Sequence, residues 1–121
     1  MDVVGEVCRE SGGDGIEIVA LKGEHDLGSL PLVRDALEAA TGGDDALIID
    51  LSPATFIDSS ILGAVIDARR HASEAGRGFA VACEGACEPV RRVLEVTGLL
   101  EELPVHPTRE AALEALAGAS T

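Results

Sequence analysis

A chain of 121 residues, 46% hydrophobic and 26% charged, has the length and apolar content for one packed core but not two, which argues against both a disordered chain and a string of domains. Acidic residues outnumber basic ones 22 to 9, a formal charge of −13. That charge repels a phosphate backbone or an anionic bilayer, so direct nucleic-acid binding and direct membrane insertion are not expected.

The elements are read in chain order. Residues 1–14 have the look of an extra edge strand, Val3 to Arg9, and a turn, with the loose "SGGDG" at residues 11–15. Ile16 to Leu21 ("IEIVAL") is short, β-branched and partly alternating, which predicts a strand. "KGEHD" then reads as a loop in which Gly23 can take a positive φ. Ser29 can cap a first helix, with Pro31 in its first turn and Leu30, Val33, Leu37 and Ala40 at helical spacing. "TGGDD" ends that helix.

Ala46 to Leu51 ("ALIIDL") is an apolar run of the kind buried on both faces of a sheet. The junction "SPATFIDSS" leads into a second helix with Leu62, Val65, Ile66 and Arg69 on one side and Gly76 as its stop. Gly78 to Cys83 is another buried strand. Pro89 opens a third helix that Gly98 closes, Leu103 to Val105 form a last short strand, and Thr108 caps a final helix with Leu113 and Leu116 inward. Strands alternating with helices predict an α/β domain over residues 1–121, with a mostly parallel sheet of four to five strands covered by about four helices.

Three cysteines, Cys8, Cys83 and Cys87, do not make a disulfide framework, and an odd number points to a reducing cytoplasm. No apolar run approaches the roughly 18 residues of a membrane span, and "MDVVGEVCRESGGDG" lacks the order of a signal peptide.

The stretch "FIDSSILG" carries the most information. It gathers Asp58, Ser59 and Ser60 between an apolar run and a helix start. One such residue suffices as a helix cap. A hydroxyl at Ser59 would lie at the positive end of the helix dipole, where an added phosphate is stabilised. A phosphoserine there adds roughly −1.5 to −2 charges while the fold stays intact.

Other chemistries fit less well. A serine nucleophile needs a base, and His25, His71 and His106 are the only histidines; His25 lies in the expected loop, His71 on the polar side of the second helix and His106 after the final strand. No G-x-S-x-G elbow surrounds any serine. A receiver-type aspartyl acceptor would use Asp50 with Asp44 and Asp45, but the acidic pair precedes the central strand and the sole lysine, Lys22, comes too early. Cys83 and Cys87 form a C-x3-C pair with no second pair for a tetrahedral metal. No P-loop or G-x-G-x-x-G is present.

With these residues in view, "LKGEHDLGSLPLVRDAL" followed by "IDLSPATFIDSSILG" resembles the STAS domain of bacterial anti-sigma factor antagonists. The likeness runs from about Gly15 to Leu116 and includes "CEPVRRVLEVTGLLEELPVHPTREAALEAL" as the closing elements. The resemblance implies a non-enzymatic regulator that binds an anti-sigma factor serine kinase and so frees a sigma factor. It implies phosphorylation at Ser59 by that kinase, which ends the complex, and resetting by a PP2C-type phosphatase. The implied docking residues are Gly23, Glu24 and Asp26 in the first loop, and Asp58, Ser59, Ser60, Ile61 and Leu62 at the helix start. No cofactor is implied for this chain, since ATP and its divalent metal belong to the kinase.

Ile61 stands where the family usually has glycine. A β-branched side chain there is expected to block close backbone approach and to add an exposed apolar contact. That departure supports an alternative reading: a STAS scaffold that is not phosphorylated, a ligand sensor, or a subunit of a transporter complex.

Overall fold

A computed structural model describes residues 5–13, 15–41, 45–83, 88–98 and 103–119. The described elements are β1 (Glu6–Gly13), β2 (Ile16–His25), α1 (Leu30–Thr41), β3 (Ala46–Asp50), β4 (Ala54–Ile57), α2 (Ser59–Glu74), β5 (Phe79–Ala82), α3 (Glu88–Val96), β6 (Val105–His106) and α4 (Arg109–Ala119). Five strands run in the order β1-β2-β3-β5-β6, and β4 pairs with the far end of β2. Only β1 is antiparallel to its neighbour. The chain therefore has the α/β architecture expected of alternating strands and helices, with a mostly parallel six-stranded sheet.

The central strands are apolar on both faces because both are covered. Val19, Ile49 and Val81 are cross-strand partners, and they point into the larger core together with Val33 and Leu37 of α1, Val65 of α2 and Leu94 of α3. The next row, Ile18, Ile48 and Ala80, points the other way and packs under Ala112 and Leu116 of α4. Gly78 lets α4 approach closely, since a Cβ there would lie 2.9 Å from Leu116.

Several expectations change. β2 does not stop at Leu21 but runs on to His25, so "KGEH" is strand and not loop. Leu21, Gly23 and His25 are buried while Lys22 and Glu24 are exposed, the alternation of a half-buried strand. The junction before α2 contains the extra strand β4. Its register against β2 shifts between Gly23 and Glu24, where Thr55 is the additional residue, and Gly23 takes φ +81° beside that irregularity. On α2 the buried face is Ile61, Leu62, Ala64, Val65, Ala68 and Ala72, whereas Ile66 and Arg69 are exposed.

Among the described residues the N-terminal strand is Glu6–Gly13; the expected start at Val3 lies outside the described residues, as do Asp44 and Cys87. The last strand is Val105–His106, starting two residues later and ending one later than expected. Among the described residues, no helix is long and apolar enough to cross a membrane.

α4 is fastened by an ionic clasp. Arg109 donates from Nε and Nη2 to Oδ2 of Asp50 at 3.1 and 3.0 Å, and from Nη1 and Nη2 to Glu10 at 3.4 and 3.1 Å. Asp50 is buried, and its Oδ1 accepts from the Ser52 amide at 2.9 Å. This arrangement accounts for the acid at the end of the central strand as a structural anchor for the last helix. Truncating the arginine strands a buried carboxylate. Because about a third of the Arg109 side chain remains in solvent, Arg109→Ala should lower unfolding free energy by about 2–3 kcal/mol. The exposed pair Arg91–Glu95 should cost under about 0.5 kcal/mol on Arg91→Ala, and urea denaturation distinguishes the two.

Candidate functional site

Asp58 is the N-cap of α2, with extended backbone at φ −110° and ψ −178°. Its Oδ1 accepts from the amides of Ser60 (3.0 Å) and Ile61 (3.2 Å), which would otherwise be orphaned in the first turn. The same oxygen accepts the Ser60 hydroxyl at 2.5 Å. Its Oδ2 reaches across to the β2–α1 turn and accepts the Leu27 amide at 3.1 Å. One carboxylate thus ties together two segments 31 residues apart.

The cap separates the two serines. Ser60 is half-buried, and its hydroxyl is committed to Asp58. Ser59 is exposed at the first position of α2, and its hydroxyl is not part of the cap. The charge on Asp58 is favoured by these contacts. Burial pushes its carboxyl up, but the Ser60 hydroxyl and the amides of Ile61, Ser60 and Leu27 outweigh burial and hold it below the ordinary 3.8.

The first-loop residues sit beside this cap. Gly23 is buried and donates its amide to the Pro53 carbonyl at 3.0 Å. Glu24 is exposed and pairs in register with Phe56. Asp26 is exposed, and its Oδ1 accepts the Gly28 amide at 2.8 Å. Glu24, Asp26, Asp58, Ser59 and Ser60 therefore lie on two adjoining segments joined by the Leu27–Asp58 bond and by the β2–β4 pairing.

Ile61 and Leu62 do not join them. Ile61 is fully buried and Leu62 is 2% exposed, because the Asp58 cap sets the helix phase and turns positions 61 and 62 toward the core. The expectation that Ile61 offers an exposed contact, and that these two side chains form part of a docking face, is corrected accordingly.

Two exposed apolar side chains were not anticipated: Leu27, 68% exposed, and Phe56, 39% exposed, one on each segment. The acids Glu24, Asp26 and Asp58 surround them in sequence. Leu27 lies in a turn with no periodicity, and Phe56 lies in a strand whose burial runs buried, exposed, exposed, buried, so neither follows a pattern. The presence of Phe56 beside a polar motif was the available signal.

Among the described residues the histidine–serine hydrogen bond joins His25 to Ser29, not to Ser59 or Ser60. His25 is buried, with its ring nitrogens against Ser29, Glu6 and Lys22. His71 is exposed on α2 and His106 lies in β6. The expected Ser29 cap is also different, because its hydroxyl turns back to His25 and to Asp26. Cys83 is half-buried and is not in a disulfide. Among the described residues, no group of three or more His, Cys, Asp or Glu could hold a metal ion.

Comparison with known proteins adds to this geometry. The model of the STAS domain family matches residues 11–112. A STAS-domain containing protein of Pseudomonas aeruginosa (strain UCBPP-PA14) is 31% identical over 85 residues, covering 69% of this chain and 82% of that protein. The crystal structure of an anti-sigma factor antagonist from Mycobacterium paratuberculosis superposes with a TM-score of 0.85 at 30% identity, covering 94% of this chain and 95% of that one. The unphosphorylated form of the anti-sigma factor antagonist SpoIIAA shares the fold, with a TM-score of 0.78 at 22% identity over 93% of this chain and 97% of that one.

The cap makes a pH prediction. A carboxyl held low in the folded state contributes stability above 3.8, and that contribution is lost as pH falls through the lower folded value. Asp58→Asn, which can still cap, should therefore be less stable than the unmodified protein at neutral pH, with the difference shrinking at the acid end. Asp58→Ala, which cannot cap, should cost about 1–2 kcal/mol. Urea midpoints measured across pH check both.

Proposed function

The chain belongs to the STAS domain family, and from that premise we propose that it is an anti-sigma factor antagonist: it holds an anti-sigma factor serine kinase, frees a sigma factor, and lets go when Ser59 is phosphorylated. The observation that carries this reading is the division of labour at the start of α2. Ser60 is locked into the cap by Asp58, while Ser59 stands exposed one residue away at the positive end of the helix. The 30% identical anti-sigma factor antagonist from Mycobacterium paratuberculosis supports the role.

The physics favours a switch in docking rather than in folding. A phosphate on Ser59 adds roughly −1.5 to −2 charges. The first-turn amides and the helix dipole tolerate it locally. A partner closing over Ser59, however, would have to desolvate that charge beside Asp58, which the cap keeps ionised. Repulsion and desolvation both oppose the complex.

In this reading the docking surface comprises Glu24, Asp26, Asp58, Ser59 and Ser60, with Gly23 shaping the strand beneath and Leu27 and Phe56 as its apolar contacts. The chain is substrate and ligand, not enzyme. It works in the cytoplasm as one STAS domain over residues 1–121, and a PP2C-type phosphatase resets it. Ile61, the residue that favoured a non-switching scaffold, sensor or transporter subunit, is buried and no longer supports that alternative.

The test uses the partner kinase recovered with this protein as bait. Incubation with ATP should place one phosphate on Ser59 and none on Ser60. Ser59→Asp should weaken binding at least tenfold, about 1.4 kcal/mol, while Ser59→Ala should bind and escape modification. Equal affinity of Ser59→Asp and the unmodified protein would end the switch reading.

A further inference from the structure

Two buried polar side chains stand out among the described residues, Asp50 and His25. Asp50 is accounted for by Arg109. His25 has no such assignment, although it occupies an inward position of β2 where Leu21 and Gly23 precede it in the buried row. We propose that His25 is a positioning residue for the Asp58–Ser59 site, acting through Ser29 and the turn that presents the Leu27 amide to Asp58.

The hydrogen-bond partners fix the ring. Nε2 lies 3.1 Å from the Glu6 carbonyl and 3.0 Å from the Lys22 carbonyl. Carbonyls only accept, so Nε2 carries a proton. In the neutral ring Nδ1 is then an acceptor, and the single Ser29 hydroxyl proton faces both it, 3.0 Å away, and the Asp26 carbonyl at 3.2 Å, the shorter contact being the one to the ring. The Ser29 oxygen also accepts the Asp26 amide at 3.2 Å. On another side Gly5 closes against the ring, since a Cβ there would lie 2.7 Å from Cε1 and 2.8 Å from Nε2. The imidazole thus pins β1, the end of β2 and the first residues of the turn to one another.

The turn is held at one end by the pairing of His25 with Ile57 and at the other by α1, whose Val33 amide donates to the Ser29 carbonyl at 3.1 Å. Within it the Ser29 amide donates to the Asp26 carbonyl at 3.1 Å and the Gly28 amide to Asp26 Oδ1 at 2.8 Å. The His25–Ser29 bond is the side-chain tie that joins its two ends. The Leu27 amide at its tip then meets Asp58 Oδ2 and leaves Oδ1 to cap α2. An apolar residue at position 25 would fill the space, yet it would release Ser29 and leave two carbonyls without this donor.

The inference deepens the proposed switch and takes its purpose from that reading, but its test needs no partner. NMR would follow hydrogen exchange of the Leu27 amide and the acid titration of the Asp58 carboxyl in the unmodified protein, His25→Leu, Ser29→Ala and Arg109→Ala. Both relay variants should speed Leu27 exchange at least tenfold relative to core amides and move the Asp58 midpoint up toward 3.8. Arg109→Ala, destabilised elsewhere, should leave the midpoint and that exchange ratio in place. The ring 15N spectrum of the neutral imidazole should show the proton on Nε2. Should His25→Leu fail to fold, Ser29→Ala decides alone, because it cuts the relay without emptying the core. Folded variants with unchanged Leu27 protection and unchanged Asp58 titration, or a proton on Nδ1 of the neutral ring, would overturn the proposal. A failure of Ser59→Asp to weaken partner binding would sink the switch and leave this result untouched.

Discussion

One carboxylate with two loyalties organises this molecule's functional end. Asp58 must satisfy the open first turn of α2 and, with its other oxygen, the tip of a turn 31 residues earlier. Meeting both at once takes a side chain with two acceptor oxygens, which serine and apolar residues lack. Because both oxygens are engaged, α2 starts at a defined residue and with a defined phase, and that phase decides which neighbours face water. Ser59 faces out, Ser60 bonds the cap, and Ile61 and Leu62 face in.

The rest of the fold supports that corner. Helices α1, α2 and α3 share one face of the sheet with a continuous aliphatic core. The other face has a smaller core under α4, and there the Asp50–Arg109–Glu10 clasp supplements apolar contact with charge. The two ionic arrangements differ in kind. Asp50 is buried and structural, so its removal acts on stability. Asp58 lies near the surface, so its charge also acts on whatever approaches Ser59.

Much of the architecture was legible in the sequence because its signals are local. Buried strands show as apolar runs ("ALIIDL", "FAVA"), and helix limits show as Thr108, whose hydroxyl accepts the Ala111 amide, and as Gly76 and Gly98, which take positive φ. The motif "DSS" named the cap and, in the proposed reading, the phosphate address. What stayed hidden depended on long-range pairing. β4 is four residues long with a register shift, so it has no alternation to read. His25 looked like a loop histidine because its burial depends on Glu6 and Ser29, distant and near partners that no spacing rule connects. Ile61 looked exposed by comparison with a glycine, when the cap's geometry had already turned it inward.

The central claim is that Asp58 divides the adjacent serines into one that is structural and one that is addressable. Site-resolved mass spectrometry of the protein purified from its source cells, in growth and under stress, tests it most directly. The account predicts phosphate confined to Ser59, with an occupancy that differs between the two states and Ser60 unmodified in both. Phosphate on Ser60, or an unmodified Ser59 in both states, would contradict it.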